Sequence, residues 1–113
     1  MAVEVTYSGL KVDGRMVPLV AGDCHYFRLE RGLWGEILDR VKGMGFDIIQ
    51  TYIPWSVHEE ERGRFDFGQK DPRKDLSAFL SLCKEKGFYV IARPGPHINA
   101  ELTYFGYPKR VLV

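Results

Sequence analysis

Residues 88–108, FYVIARPGPHINAELTYFGYP, decide the fold of this 113-residue chain. They begin with an apolar run at residues 88–92, of the kind that forms a parallel strand buried on both faces. Pro94 and Pro96 should end that strand, because proline has no N–H to donate to a neighbouring strand. The polar residues at this end are Arg93, His97, Asn99 and Glu101. Ligands bind beyond the carboxyl ends of strands in α/β folds, so the segment is predicted to be functional.

Two similar strands come earlier in the chain, at residues 19–24 and 46–53, and polar residues follow each of them. Amphipathic helices are predicted over residues 33–44 and 75–86, since apolar residues recur there at helical spacing. Residues 1–18 are predicted to form a β-hairpin that turns at Asp13-Gly14. This order predicts an α/β fold with three neighbouring parallel strands and both helices on one side of the sheet.

Three parallel strands and two helices do not form a closed structure, because one sheet edge lacks hydrogen-bond partners. The sheet face turned away from the helices is also expected to lack a cover. A TIM (β/α)₈ barrel needs about 250 residues. The chain is therefore predicted to be the first three β/α units of an incomplete barrel. In this prediction, residues 1–18 are the hairpin and residues 19–113 form a βαβαβ unit with the active-site loop. The remainder of the barrel, or self-association, is expected to complete it.

The composition argues against several classes of function. The chain has 16 Lys+Arg and 15 Asp+Glu, a net charge of +1, and no basic stripe for nucleic acid. No apolar run is long enough for a membrane span, and the first residues do not resemble a signal peptide. Cys24 and Cys83 fit neither a disulfide framework nor zinc spacing. A cytoplasmic protein without a metal or a cofactor is expected.

Five stretches, in this order, resemble glycoside hydrolase family 35, the β-galactosidase family. They are GDCHYFR (22–28), TYIPWSVHE (51–59), GRFDF (63–67), DL (75–76) and RPGPHINAE (93–101). The resemblance is to the amino-terminal segment of a catalytic (β/α)₈ barrel. It implies a retaining exo-β-glycosidase that hydrolyses terminal β-linked hexose residues of an oligosaccharide or glycoside substrate.

The resemblance also implies which residues bind the sugar. Tyr52, Asn99, Ala100 and Glu101 match the family positions that line the sugar subsite. The two catalytic glutamates of the family follow the fourth and seventh strands, and this sequence contains only three such strands. A retaining enzyme needs both carboxyl groups. No catalytic residue is therefore assigned within the chain, and the chain alone is predicted to be inactive.

Departures from the family pattern occur in and beside these stretches. His97 stands where a tyrosine is usual, and Leu102 replaces a tryptophan. Glu60 replaces a proline, and residues 104–107 (YFGY) replace a segment with paired glycines. These departures are expected at the subsite wall, so an exo-β-glucosaminidase, a group similar to this family, is an alternative. Others are a truncated module that binds sugar or takes part only in assembly, and a barrel of another family such as family 42.

The remaining polar residues near the strand ends have structural interpretations. His25 and His58 are predicted to be hydrogen-bonded structural groups, as in many barrel mouths. Arg28 and Arg93 are predicted to hold carboxylates or backbone carbonyls. The charged cluster EEER at residues 59–62 is predicted to be a solvated loop.

Overall fold

The computed structural model describes residues 1–112. Its strands are β1 (Val3–Thr6), β2 (Gly9–Val12), β3 (Arg15–Val17), β4 (Ala21–Asp23), β5 (Ile48–Ile53), β6 (Glu59–Glu61), β7 (Arg64–Phe65) and β8 (Tyr89–Pro94). The α-helices are α1 (Trp34–Gly43), α2 (Trp55–His58) and α3 (Leu76–Glu85). Short 3₁₀ turns lie at Tyr26–Arg28, Arg31–Leu33, Pro72–Lys74, Thr103–Gly106 and Lys109–Leu112.

Strands β4, β5 and β8 form a parallel sheet with β5 in the middle. The predicted parallel pairing is therefore confirmed. The strand predicted at residues 19–24 is shorter than expected, since Leu19 and Val20 precede β4 and are 60% and 58% exposed. The Val20 N–H donates to the Pro18 carbonyl at 2.9 Å, so this segment forms a turn.

Strand β8 differs from the prediction in length and in burial. It extends to Pro94, which pairs with Ile53 of β5. Proline is tolerated there because β8 is an edge strand of the described sheet and Pro94 is its last residue. The strand is half-buried at its start and exposed from Ala92 onward, so it is not buried on both faces.

Helices α1 and α3 pack on the same side of the sheet, as predicted. Their shared core with β5 includes Trp34, Leu38, Ile49, Phe79 and Cys83, none more than 2% exposed. The rings of Trp34 and Phe79 meet edge to face, with centroids 5.3 Å apart. Asp75 is the N-cap of helix α3, and its side chain accepts a hydrogen bond from the Ala78 N–H at 2.9 Å.

The predicted hairpin is part of a three-stranded antiparallel sheet, β1-β2-β3. Its turn at Asp13-Gly14 is confirmed, with φ angles of 48° and 82° that suit a tight hairpin turn. Val12 and Val17 of this sheet pack on Ile48 of β5. Because neighbouring residues of a strand point to opposite faces, Ile48 lies on the face away from the helices. The expectation that this face lacks a cover was wrong for its amino-terminal end.

The α/β class is confirmed, while the closed barrel stays a prediction. In residues 1–112, β4 and β8 are the edges of an open parallel sheet. Among the helices of that part of the chain, none has the length and apolar character needed to cross a membrane. The fold thus places the carboxyl ends of three parallel strands, and the loop after β8, at one open end.

Candidate functional site

Two of the predicted sugar-binding residues meet at the carboxyl end of the sheet. Tyr52 is near the end of β5 and is 4% exposed, whereas Glu101 lies in the loop after β8 and is exposed. The Tyr52 hydroxyl lies 3.5 Å from Oε2 of Glu101. This is at the long limit for a hydrogen bond, so the contact is weak. A buried phenol therefore borders an accessible carboxylate.

The ring of Tyr52 is held on both sides. The His25 ring stacks on it with centroids 4.3 Å apart, and the Arg93 guanidinium carbon lies 4.9 Å from its centroid. The backbone N–H of Tyr52 donates to Nδ1 of His25 at 3.3 Å. An accepting Nδ1 carries no proton, so this contact requires the neutral form of the ring. Burial and then the Arg28 charge lower the pKa of His25, which favours that form.

The two arginines near the site make different contacts. Nη2 of Arg28 donates to the backbone carbonyl oxygen of Glu101 at 2.7 Å, which confirms the role predicted for Arg28. The prediction for Arg93 was wrong, because its guanidinium lies over the Tyr52 ring. A planar cation favours the face of an aromatic ring, and the ring of Tyr52 is beside it across the β5–β8 ladder. Arg28 fixes the loop and Arg93 fixes the phenol.

The environment of Glu101 favours its ionised form. A hydrogen bond from its own backbone N–H, the Arg28 charge and the Tyr52 hydroxyl together outweigh partial desolvation and lower the pKa of Glu101. At neutral pH the group is a carboxylate that accepts hydrogen bonds and has no proton to donate. The site can therefore bind donors such as sugar hydroxyls, and Glu101 does not have the raised pKa of a general acid.

Asn99 and Ala100 lie in the same loop as Glu101, between β8 and the 3₁₀ turn Thr103–Gly106. Asn99 is exposed and Ala100 is half-buried. Ile98 is only 2% exposed, and its N–H donates to the Phe105 carbonyl at 2.9 Å, so this residue anchors the loop. The structure thus places all four predicted residues at one end of the sheet. Their contact with a sugar stays a prediction.

His58 is a structural group, as predicted. Its Nδ1 lies 2.9 Å from the backbone oxygen of Asp66, and its Nε2 lies 2.6 Å from the Tyr26 hydroxyl. A carbonyl oxygen only accepts, so Nδ1 carries the proton and the Nε2 of the neutral ring accepts from Tyr26. Burial is the main cause that lowers the pKa of His58. Both ring nitrogens are occupied, which leaves none for a ligand.

The prediction of a solvated loop at residues 59–62 was wrong, because Glu59–Glu61 form strand β6 and Glu59 is only 7% exposed. Its carboxylate accepts from Nη2 and Nε of Arg110, at 2.8 and 3.1 Å, and from the Gly63 N–H at 3.0 Å. The Arg110 guanidinium carbon also lies 5.6 Å from the Trp55 ring centroid. The local charge pattern gave no signal for a partner 51 residues away.

The part of the chain that the structure describes contains neither a metal-binding cluster nor a reactive thiol. Within residues 1–112, no group of three or more His, Cys, Asp or Glu side chains could hold a metal ion. Cys24 and Cys83 are free and buried. Burial raises the pKa of the two thiols to about 11 and about 12 respectively. Both remain protonated at neutral pH and are poor nucleophiles.

Comparison with known proteins identifies the relatives of this chain. The family model described as Glycosyl hydrolases family 35 matches residues 9–112. Beta-galactosidase-1-like protein 3 of Rattus norvegicus is 43% identical over 101 residues, which are 89% of this chain and 16% of that protein. An exo-beta-D-glucosaminidase of Thermococcus kodakarensis is 39% identical over 108 residues, 93% of this chain and 14% of that protein. A beta-1,2-glucosyltransferase of Ignavibacterium album is 43% identical over 95 residues, 83% of this chain and 13% of that protein.

The chain spans about a sixth or less of the length of these curated relatives. The matched region nevertheless covers nearly the whole chain and contains all five stretches that carry the resemblance. It also contains β5, β8 and the loop that brings Tyr52 and Glu101 together. The departures at His97, Leu102 and residues 104–107 lie inside the matched range. This chain belongs to family 35 of the glycosyl hydrolases.

Proposed function

We propose that this chain is the amino-terminal part of the catalytic barrel of a retaining exo-β-glycosidase. The enzyme removes terminal β-linked hexose residues from an oligosaccharide or a glycoside. The observation that carries the proposal is the Tyr52 hydroxyl 3.5 Å from the Glu101 carboxylate at the carboxyl end of parallel strands. Ligand sites of α/β folds lie at this end. A carboxylate beside a phenol offers acceptors and a donor to neighbouring hydroxyls of one sugar ring.

Each predicted residue has a defined role in this proposal. Glu101 accepts hydrogen bonds from two sugar hydroxyls, and Tyr52 limits the positions that its carboxylate can adopt. The amide of Asn99 can donate and accept at once, while the small side chain of Ala100 leaves room for the sugar ring. A retaining mechanism needs an acid/base and a nucleophile about 5–5.5 Å apart. We place both catalytic glutamates in the remainder of the barrel, so residues 1–113 alone turn over no substrate.

The open parts of the sheet support the assignment to a larger domain. An unpaired strand edge such as that of β8 normally has a partner or a cover. In our proposal the next strand of the same barrel pairs with β8. The β1-β2-β3 sheet covers the end of the barrel interior that is opposite to the sugar site. A second copy of the chain is the alternative partner when the remainder is missing. The cytoplasmic location stays a prediction.

The identity of the sugar has a specific second candidate. A relative with 39% identity over 93% of this chain is named an exo-beta-D-glucosaminidase. An ionised Glu101 attracts a protonated 2-amino group as well as it accepts from hydroxyls. A β-glucosaminide is therefore the alternative to a β-galactoside. The relative named a glucosyltransferase suggests one more outcome, since a sugar hydroxyl can replace water in the second step of a retaining mechanism.

The test is Glu101→Gln in the complete protein that carries this chain. Glutamine keeps the shape but loses the charge and replaces one acceptor with a donor. We expect kcat/KM for the better of an aryl β-galactoside and an aryl β-glucosaminide to fall by about ten- to a hundredfold. Product analysis separates hydrolysis from transfer to a second sugar, and circular dichroism checks folding.

The matched control is Glu85→Gln, because Glu85 is an exposed carboxylate at the end of α3. It should leave kcat/KM unchanged. Equal effects of the two substitutions would show that Glu101 is not a sugar ligand. If the complete protein turns over neither substrate, the enzyme proposal fails and the non-catalytic binding module takes its place.

A further inference from the structure

A cavity of about 520 Å³ lies between the hairpin of β6 and β7 and the segment that follows Glu101. Its lining includes Ser56, Arg62, Thr103, Tyr104, Tyr107 and Lys109. The volume is within the range of pockets that hold small organic ligands. Hydroxyl, charged and aromatic groups are combined on its wall. The roles assigned above to Tyr52 and Glu101 do not involve this cavity.

The backbone beside the cavity is strained at two aromatic residues. Tyr104 and Phe105 both have φ angles of 54°, in the left-handed region that glycine adopts freely and other residues adopt rarely. Hydrogen bonds hold this conformation: the Phe105 N–H donates to the Leu102 carbonyl, and the Tyr107 N–H to the Tyr104 carbonyl, each at 3.1 Å. Such strain clusters at ligand-binding and catalytic sites, where it serves to position a group.

The side chains of the two residues with strained backbone have different neighbours. Phe105 stacks on His97 with ring centroids 5.1 Å apart and an interplanar angle of 18°. Tyr104 is 46% exposed and borders the cavity. Burial of the Tyr104 ring therefore does not offset the strain within the described residues. The Tyr104 ring is therefore exposed at the cavity although its residue has an unfavourable backbone conformation, and this ring is available to a ligand.

The charges around the cavity indicate the class of ligand. The lining has three carboxylates and three cations, and each carboxylate already has an ion-pair partner: Arg110 for Glu59, Lys70 for Glu60 and Arg64 for Glu61. The formal charges of the lining residues sum to zero, which suits a neutral ligand such as a sugar. Hydroxyl and charged groups on the wall can bond to sugar hydroxyls, and a tyrosine ring can pack against the apolar C–H face of a pyranose.

We propose that this cavity binds the second sugar of an oligosaccharide substrate, the unit on the leaving-group side of the bond to be cleaved. Tyr104 follows Glu101 by three residues, a span of at most about 11 Å of chain. A glycan whose terminal residue contacts Glu101 can therefore extend along the loop to Tyr104. This inference rests on the proposed function and makes Tyr104 a determinant of specificity for oligosaccharides.

The test is Tyr104→Gly in the complete protein, because glycine removes the ring and also relieves the strain at a φ of 54°. We expect kcat/KM for a β-linked disaccharide to fall about three- to tenfold. The value for the methyl β-glycoside of the same terminal sugar should not change, and the melting temperature should not fall. The control is Tyr7→Gly, since Tyr7 is fully exposed in the turn between β1 and β2.

Three results would overturn the inference. The first is an unchanged kcat/KM of Tyr104→Gly for the disaccharide. The second is an equal loss of kcat/KM on the disaccharide and on the methyl glycoside. The third is a lower melting temperature without a kinetic effect, which would show that Tyr104 packs against the rest of the polypeptide. If no glycoside is hydrolysed, the proposed function fails, and calorimetric titration with the disaccharide decides the inference. Binding weakened by Tyr104→Gly then supports the cavity, and the absence of binding overturns it.

Discussion

The two faces of strand β5 differ in how completely this chain covers them. On the helix side, Ile49 and Thr51 are fully buried, and Ile49 lies in one core with Trp34 and Phe79. On the other side, Ile48 packs under Val12 and Val17 of the amino-terminal sheet. Farther along that side the contacts become polar: Gln50 donates to Asp23 at 3.0 Å, and Tyr52 borders Glu101.

This difference separates the part that stabilises the fold from the part that binds. The helix face is closed by apolar residues within this chain. The opposite face of the sheet, on which Ile48, Gln50 and Tyr52 lie, is called the inner face. It changes from apolar to polar toward the carboxyl ends of its strands. Arg93 and Glu101, at the polar end, are exposed. Exposed polar contacts contribute little to stability, so the site depends on the core behind it for its geometry.

The largest expected effect is on the helix face. Phe79→Ala removes a ring that is 0% exposed and should lower the free energy of unfolding of the 113-residue chain by about 3–5 kcal/mol. Ile91→Ala, on the half-buried inner face, should cost only about 1 kcal/mol. Urea unfolding followed by tryptophan fluorescence measures both changes.

The same pair of substitutions tests the proposed barrel. In the proposed barrel the inner face lies in the interior, so in the complete protein the cost of Ile91→Ala should rise to about 2–5 kcal/mol. The cost of Phe79→Ala should not change, because its surroundings are already complete. An Ile91→Ala cost that is the same in both proteins would show that the inner face stays uncovered.

The elements of the fold could be predicted from the sequence because their signals are local. Helical spacing located α1 and α3, and the apolar run after each helix located β5 and β8. The cover on Ile48 was missed because it depends on Val12 and Val17, which lie far away in the sequence and belong to another sheet. No local pattern specifies such a contact.

The site could be predicted in part, for a different reason. Tyr52 and Glu101 were found by resemblance to a family, since neither periodicity nor composition links two residues 49 positions apart. The same resemblance did not indicate where the Arg93 side chain would lie, because a guanidinium can bind a carboxylate or a ring face. The left-handed backbone at Tyr104 could not be predicted either, because tyrosine rarely adopts it.

A smaller effect on stability is expected from pH, because two histidines near the carboxyl ends of the parallel strands are held neutral. Burial lowers the pKa of His58 and of His25 below the ordinary value of 6.5. As the pH falls through about 6.5 the unfolded chain takes up protons that the folded chain does not, so stability decreases. Above that pH the contribution is fully present. For His58 the slope cannot exceed about 1.4 kcal/mol per pH unit, the limit for one proton.

Unfolding of the chain between about pH 7.5 and pH 5.5 measures this slope, and His58→Gln should reduce it. The Glu59 carboxylate does not contribute in this window, because hydrogen bonds from Arg110 lower its pKa. A slope that is unchanged in His58→Gln, or stability that rises on acidification, contradicts the prediction. If the variant does not fold, NMR titration of the His58 ring in the unchanged chain gives the pKa directly.

The smallest change in stability is expected at the polar end of the inner face. Arg93 is exposed, and its cation lies 4.9 Å from the Tyr52 ring centroid, so Arg93→Gln should cost only about 0.5–1 kcal/mol. Arg40→Gln, which breaks an exposed ion pair with Glu36 on α1, should cost a similar amount.

The two variants should differ in function. Loss of the cation over Tyr52 frees the phenol beside Glu101, so kcat/KM of the complete protein should fall about two- to fivefold in Arg93→Gln alone. Arg93→Lys should restore part of it, because the positive charge over the ring is kept. Equal kinetics in Arg93→Gln and Arg40→Gln would show that Arg93 does not position Tyr52 for substrate.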